Sequence, residues 1–104
     1  MTVQVRLLDV AVAELQDASN WYEDRRPGLG LVFLGAVGRT IEHLSRWPDT
    51  GTLVEGVAVP LGVRWMPVER FPYYVAYLSA QQGLTVLAVA HERRRPRYWS
   101  NRTD

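Results

Sequence analysis

Apolar positions recur along this chain with more than one period, and the changes of period divide it into elements. Val3 to Leu8 alternates apolar and polar residues before ending apolar, which predicts a short strand. Asp9 stands where a cap for a following helix is wanted. Ala11, Leu15, Ala18 and Tyr22 then recur at i, i+4, i+7 and i+11 with Trp21 alongside, one apolar stripe of a helix. Pro27-Gly28 ends it, because proline cannot continue the helix and glycine tolerates the turn. Phe33, Val37, Ile41 and Leu44 repeat the same spacing with Leu34 beside them, so a second helix follows at once and closes at Trp47-Pro48-Asp49. Gly35 and Gly38 lie inside it, where each costs about 1 kcal/mol against alanine. A close approach of the first helix would account for both, so the two helices are expected as an antiparallel hairpin.

The pattern then changes. Residues 49–62 hold three glycines and a proline and read as a loop. Gly62 to Val68 alternates, but Pro67 has no N–H for a ladder, which suits an edge strand. Tyr73 to Ser79 is aromatic and β-branched, Gln81-Gln82-Gly83 is a hairpin turn, and Leu84 to Ala90 is apolar enough for the central strand. The order β-α-α-β-β-β predicts an α+β domain spanning residues 1–104. After an N-terminal strand, an α-helical hairpin packs on a mainly antiparallel four-stranded sheet, and a short C-terminal helix or tail follows.

Composition narrows the function classes. With 104 residues the chain is long enough for one core but not two, and nearly half its residues are hydrophobic, so it is globular. It has no cysteine, which excludes disulfides and thiolate chemistry. No charged leader precedes an apolar stretch and no apolar run reaches the ~18 residues a membrane span needs. The cytoplasm is therefore the expected compartment, with no membrane partner. All twelve basic residues are arginine, which removes lysine as a base or Schiff-base former.

The net charge of +1 conceals a division. Residues 1–63 carry five arginines against eight acids, net −3, whereas residues 64–104 carry seven against three, net +4. The basic half should meet something anionic, either nucleic acid or an acidic protein segment.

His43 and His91 are the only histidines, with no HxxxH or HExxH spacing, so no metal site and no cofactor is expected. Ser45, Ser79 and Ser100 lack a nucleophile-elbow context. The glycines of Pro27 to Gly30 join helix to helix rather than strand to helix, so they make no phosphate loop. What remains is the exit of the last strand. His91 sits there, either bonded to a nearby carbonyl or positioned to orient or protonate a phosphate. Arg93, Arg94, Arg95 and Arg97 follow, interleaved with Tyr98 and Trp99, a pairing that suits single-stranded nucleic acid or a peptide groove. Arg64 and Arg70, on neighbouring strands, are expected to converge on the same exit. Trp21, Tyr22, Trp47 and Trp65 read as core or rim packing.

Three blocks carry a resemblance: AELQDASNWYEDRRPGLGLVFLGAV (Ala13 to Val37), ERFPYYVAYL (Glu69 to Leu78) and VLAVAHERRRPRYW (Val86 to Trp99). In this order they resemble the RelE/ParE superfamily, the toxins of type II toxin–antitoxin pairs, whose fold is a helical hairpin against an antiparallel sheet. The resemblance implies an antitoxin partner, and it leaves two mechanisms. RelE-like members are ribosome-dependent mRNA endonucleases, and a site of that kind here would draw on Glu69, Arg70, His91, Arg94 and Tyr98. ParE-like members poison DNA gyrase by binding, through a surface that would comprise Arg64, Arg70, His91, Arg93, Arg94, Arg95, Arg97, Tyr98 and Trp99. The strand position of a RelE-like arginine is Tyr73 here, and the RelE-like lysines are missing, since residues 53–63 hold no cation. The FPYYVAY and LAVAHERR patterns are more similar to the ParE branch, which is favoured. A degenerate, non-toxic binding module is the third reading.

Overall fold

The computed structural model describes residues 2–56 and 62–103. The elements are β1 (Val5–Leu7), α1 (Asp9–Arg25), α2 (Leu29–Arg46), β2 (Thr52–Leu53), β3 (Val63–Pro67), β4 (Tyr73–Ala80), β5 (Gly83–His91) and a 3-10 turn at Ser100–Thr103. The strands form one sheet in the order β1-β5-β4-β3-β2, with β1 parallel to β5 and the other pairs antiparallel. The fold is α+β, as the periodicities imply. The sheet has five strands rather than four, because β2 forms inside the stretch read as a loop. Its two residues pair with Trp65 and Arg64, too few to display any period in sequence. Residues 57–61 of that stretch lie outside the described residues.

The helical hairpin is held at its turn by a side chain rather than by the expected helix caps. Asp9 is the first helical residue and Leu8 the cap, with no side-chain cap bond, so Asp9 complements the helix dipole instead. Glu23, near the end of α1, accepts hydrogen bonds from the backbone N–H of Gly28 at 2.9 Å and of Gly30 at 3.0 Å. It thereby satisfies donors that the first turn of α2 leaves open. Ala11 and Ala18 of α1, Phe33, Val37 and Leu44 of α2, and Val75, Tyr77, Leu84, Val86 and Val89 of the sheet form the helix-side core. At one end, Tyr22, Phe33, Phe71 and Tyr73 make an aromatic cluster with ring centroids 4.9–6.2 Å apart.

The other face of the sheet is paved with small residues. Ala76, Ala88 and Ala90 lie there with Val63 and Leu87, and Trp99 from the tail packs on them. Among the described residues no α-helix contributes to this cluster.

A bulge in β5 decides what its end presents. Ala88 pairs with Ala76 but Val86 with Tyr77, so Leu87 is an extra residue in the ladder. Leu84 and Val86 point to the helix-side core, Leu87 and Ala88 both to the opposite core, and Val89 to the helix side again. Strict alternation from Leu84 would have put His91 on the open face. The extra residue brings it to the helix face instead, where its ring meets Tyr73 edge-on at 5.0 Å. None of the described helices is long and apolar enough to cross a membrane.

Candidate functional site

β5 is nine residues long and β1 only three, so the outer edge of β5 beyond Val86 has no strand beside it. Unpaired backbone groups there must find other partners or lose their hydrogen bonds. Two side chains supply them. Glu14 Oε1, from α1, accepts from the Val89 N–H at 3.1 Å, and Arg102 Nη1, from the 3-10 turn, donates to the Leu87 carbonyl at 3.0 Å. The same two side chains join each other through Nη1 to Oε1 at 3.0 Å and Nη2 to Oε2 at 3.2 Å. Tyr98 completes the cluster, its hydroxyl donating to Glu14 Oε2 at 2.5 Å. The Glu14 and Arg102 side chains are 16% and 20% exposed, so water weakens this pair less than a surface pair.

Tyr98 is hemmed in on its faces as well. The Arg94 guanidinium stacks 3.9 Å from its ring centre, and that of Arg102 lies at 5.1 Å. Burial, reinforced by the acceptor and charge of Glu14, pushes the Tyr98 phenol well above its usual value, and Arg94 and Arg102 offset only part of this. Burial also raises Tyr22, Tyr73 and Tyr77. These folded-state phenols hold their protons more tightly than in the unfolded chain. Their contribution to stability is intact below the ordinary tyrosine value of 10.0 and is lost as pH rises through the higher folded value. Tyrosinate absorbance of the native protein should therefore lag that of the urea-unfolded protein on alkaline titration. Coincident curves would contradict this account of Tyr98.

His91, Arg94, Glu14, Asp17, Trp21, Tyr22 and Tyr73 line one cleft of about 540 Å³ between α1 and the end of the sheet. His91 Nδ1 accepts from the Arg93 N–H at 3.0 Å, a local bond that turns the chain out of β5. Glu69 and Arg70 stand exposed in the β3–β4 turn, with Arg70 at a φ of 74°. Among the described residues neither forms an ion pair.

The expected convergence of Arg64 on this exit does not occur. Arg64 pairs with Tyr77, toward the other end of β4 from Tyr73 and His91, and its guanidinium donates to the carbonyls of Asp49 and Gly51 at 3.2 and 2.8 Å. Trp99 is not presented to solvent either. It is 2% exposed, with Nε1 donating to the Tyr74 hydroxyl at 2.9 Å. Arg93, Arg95 and Arg97 are exposed, Arg97 lying against Gly56 on the rim of a second cleft of about 630 Å³ that Trp65, Tyr74 and Trp99 help to line. Trp21, Trp47 and Trp65 are 51%, 56% and 37% exposed, so they belong to the rim rather than the core. Among the described residues no three His, Asp or Glu side chains are grouped to hold a metal ion.

Neither Glu14 nor Arg102 stands out in the sequence as a site residue. The available signal was Glu14's place three residues after Ala11 and four before Ala18, on the margin of the buried stripe. An acid there needs partners, but nothing local names them.

No protein-family model matches the chain, and none of the curated proteins does. Its fold is shared with a chain of a solved structure described as the chromosomal ParDE TA system from P. aeruginosa, with a TM-score of 0.72. The likeness covers 86% of this chain and 96% of that one at 19% sequence identity.

Proposed function

We propose that this chain is the toxin of a type II toxin–antitoxin module, that it acts by binding rather than cleavage, and that DNA gyrase is its target in the ParE manner. The fold shared with a chain of a ParDE system supports the module. The observation that favours a binding poison is the state of Tyr98. Cleavage by a substrate 2′-hydroxyl needs a group that takes its proton and cations free to gather around the phosphate. The Tyr98 hydroxyl instead donates a hydrogen bond to Glu14 and, pushed up by burial, keeps its proton, while Arg94 stacks on its ring and Arg102 is held by Glu14 and Leu87. Arg93, Arg94, Arg95 and Arg97 all face solvent, a set suited to charge-assisted contact with an acidic protein surface. The cognate antitoxin would neutralise the toxin by covering these arginines and the neighbouring grooves with a segment rich in carboxylates.

The test is gyrase supercoiling with and without the purified protein. Inhibition that the antitoxin reverses is expected, and normal supercoiling at saturating protein would overturn gyrase as the target. One observation favours the RelE-like reading: His91 and Arg94 share a cleft with Asp17, so an imidazole, a cation and a carboxylate border one space. Mapping transcript 5′ ends after induction separates the two, since codon-phased cuts appear only for a nuclease.

A further inference from the structure

The last eleven described residues do something unusual for a tail. Tyr98 and Trp99 are adjacent and both pack on the open-face cluster, but only Tyr98 carries a polar group across the edge of β5. The Tyr98 hydroxyl reaches over the strand edge to Glu14 on α1, and Trp99 lies under the sheet on Ala76, Ala88, Ala90 and Leu87. Arg97, at a φ of 59°, precedes the pair, and the 3-10 turn then returns Arg102 to the same edge. The tail thus straddles β5. Its main attachments are the Glu14 carboxylate on the helix side and the Trp99 indole on the open side.

The two attachments differ in kind. The indole contact is a broad apolar one over small side chains. The Glu14 contact gathers four of the five polar bonds at the edge on two oxygens: Oε1 takes Val89 N–H and Arg102 Nη1, and Oε2 takes Tyr98 and Arg102 Nη2, while Arg102 Nη1 also donates to the Leu87 carbonyl. Tyr98, Arg102 and the Val89 N–H therefore share a single side chain that neither tail nor sheet supplies. The arginines that leave β5, Arg93 to Arg97, lie between His91 and this fastening and are exposed throughout.

We propose that residues 93–103 form a strap that opens as a unit while the sheet and helical hairpin stay folded, and that Glu14 is its latch. The latch sets the direction in which the arginines of the strap are presented, and releasing it bares the β5 edge at Leu87 and Val89. The inference concerns the chain alone and stands whether the target is gyrase, the ribosome or neither.

Hydrogen exchange on the folded chain tests it. In the wild type, the amides of Val89, Tyr98, Ser100 and Arg102 should exchange together and faster than those of Val75 and Val86 in the sheet centre. Glu14→Ala removes charge-assisted bonds, so it should raise exchange of the first group by about tenfold or more while leaving the second group unchanged. Arg102→Gln cuts the latch from the tail side and should produce the same selective rise, which guards against Glu14→Ala failing to fold. Trypsin gives an independent reading, because cleavage after Arg97 should accelerate by a similar factor in both variants. A common exchange rate for both groups, or an equal rise across the whole sheet in either variant, would overturn the strap, since the tail would then open only with global unfolding.

Discussion

Replacing Trp99 by alanine is expected to destabilise the fold by about 3–5 kcal/mol, read as a lower urea midpoint and a Tm depressed on the order of 15–30 °C. Three facts set that magnitude. The side chain is 2% exposed. Its surroundings are Val63, Ala76, Leu87, Ala88 and Ala90, alanines and strand residues whose backbones the sheet holds in place, so the cavity cannot collapse. The Nε1–H bond to Tyr74 is lost as well, leaving a hydroxyl to find another partner at the margin of the site. Trp99→Phe keeps most of the ring but not the donor, and should cost less than half as much. The same substitution tests what Trp99 is for. A residue waiting to stack on a target could be truncated with little change in stability, and a loss below about 1 kcal/mol would return it to that role. The contrast is with Arg93→Ala and Arg95→Ala, which remove exposed charges. They should leave the Tm nearly unchanged while slowing association with an acidic partner, most visibly at low salt.

What the sequence reveals and what it hides divides along the range of the interactions. The helical stripes from Ala11 and Phe33, the β4–β5 hairpin around Gln81 and Gln82, and the basic exit after His91 are all local patterns, and the structure contains each of them. Period alone could not reveal the bulge. In the run Leu84 to Ala90 nearly every residue is apolar, so a shift of face at Leu87 leaves no mark in the pattern, although it determines which face receives His91. Nor could it reveal the Glu14 cluster, whose partners lie 75, 84 and 88 residues away along the chain. The basic segment looked like a surface with rings between its charges. In the folded chain, Tyr98 and Trp99 are its fastenings, and the charges between His91 and those fastenings are what is displayed.

Gly30→Ala is expected to cost about 1–3 kcal/mol, while Gly38→Ala on the same helix should gain about 0.5–1 kcal/mol. The opposite signs follow from where the two helices touch. A Cβ on Gly30 would lie 2.7 Å from the Ser19 carbonyl oxygen, and 3.0 Å from both Ser19 Oγ and Glu23 Oε1. The first of these is backbone of α1 and cannot swing aside, so the hairpin must open at its turn. Doing so would strain the Glu23 bonds to Gly28 and Gly30 that hold it closed. At Gly38 a Cβ would meet nothing within 4 Å, so alanine would bring only its better helix propensity. The placing of Gly35 and Gly38 inside α2 suggests that they admit the first helix, yet the close approach is made by Gly30, one turn before the apolar stripe is established. Thermal unfolding of the two variants decides the matter. If Gly38→Ala destabilises and Gly30→Ala does not, the helices cross where the sequence spacing placed them. The expected order of Tm, Gly38→Ala above wild type above Gly30→Ala, would locate the hinge of the hairpin at Ser19, Glu23 and Gly30. The distance from that hinge to Glu14 is little more than two turns of α1, so a splayed hairpin should also loosen the latch on the tail.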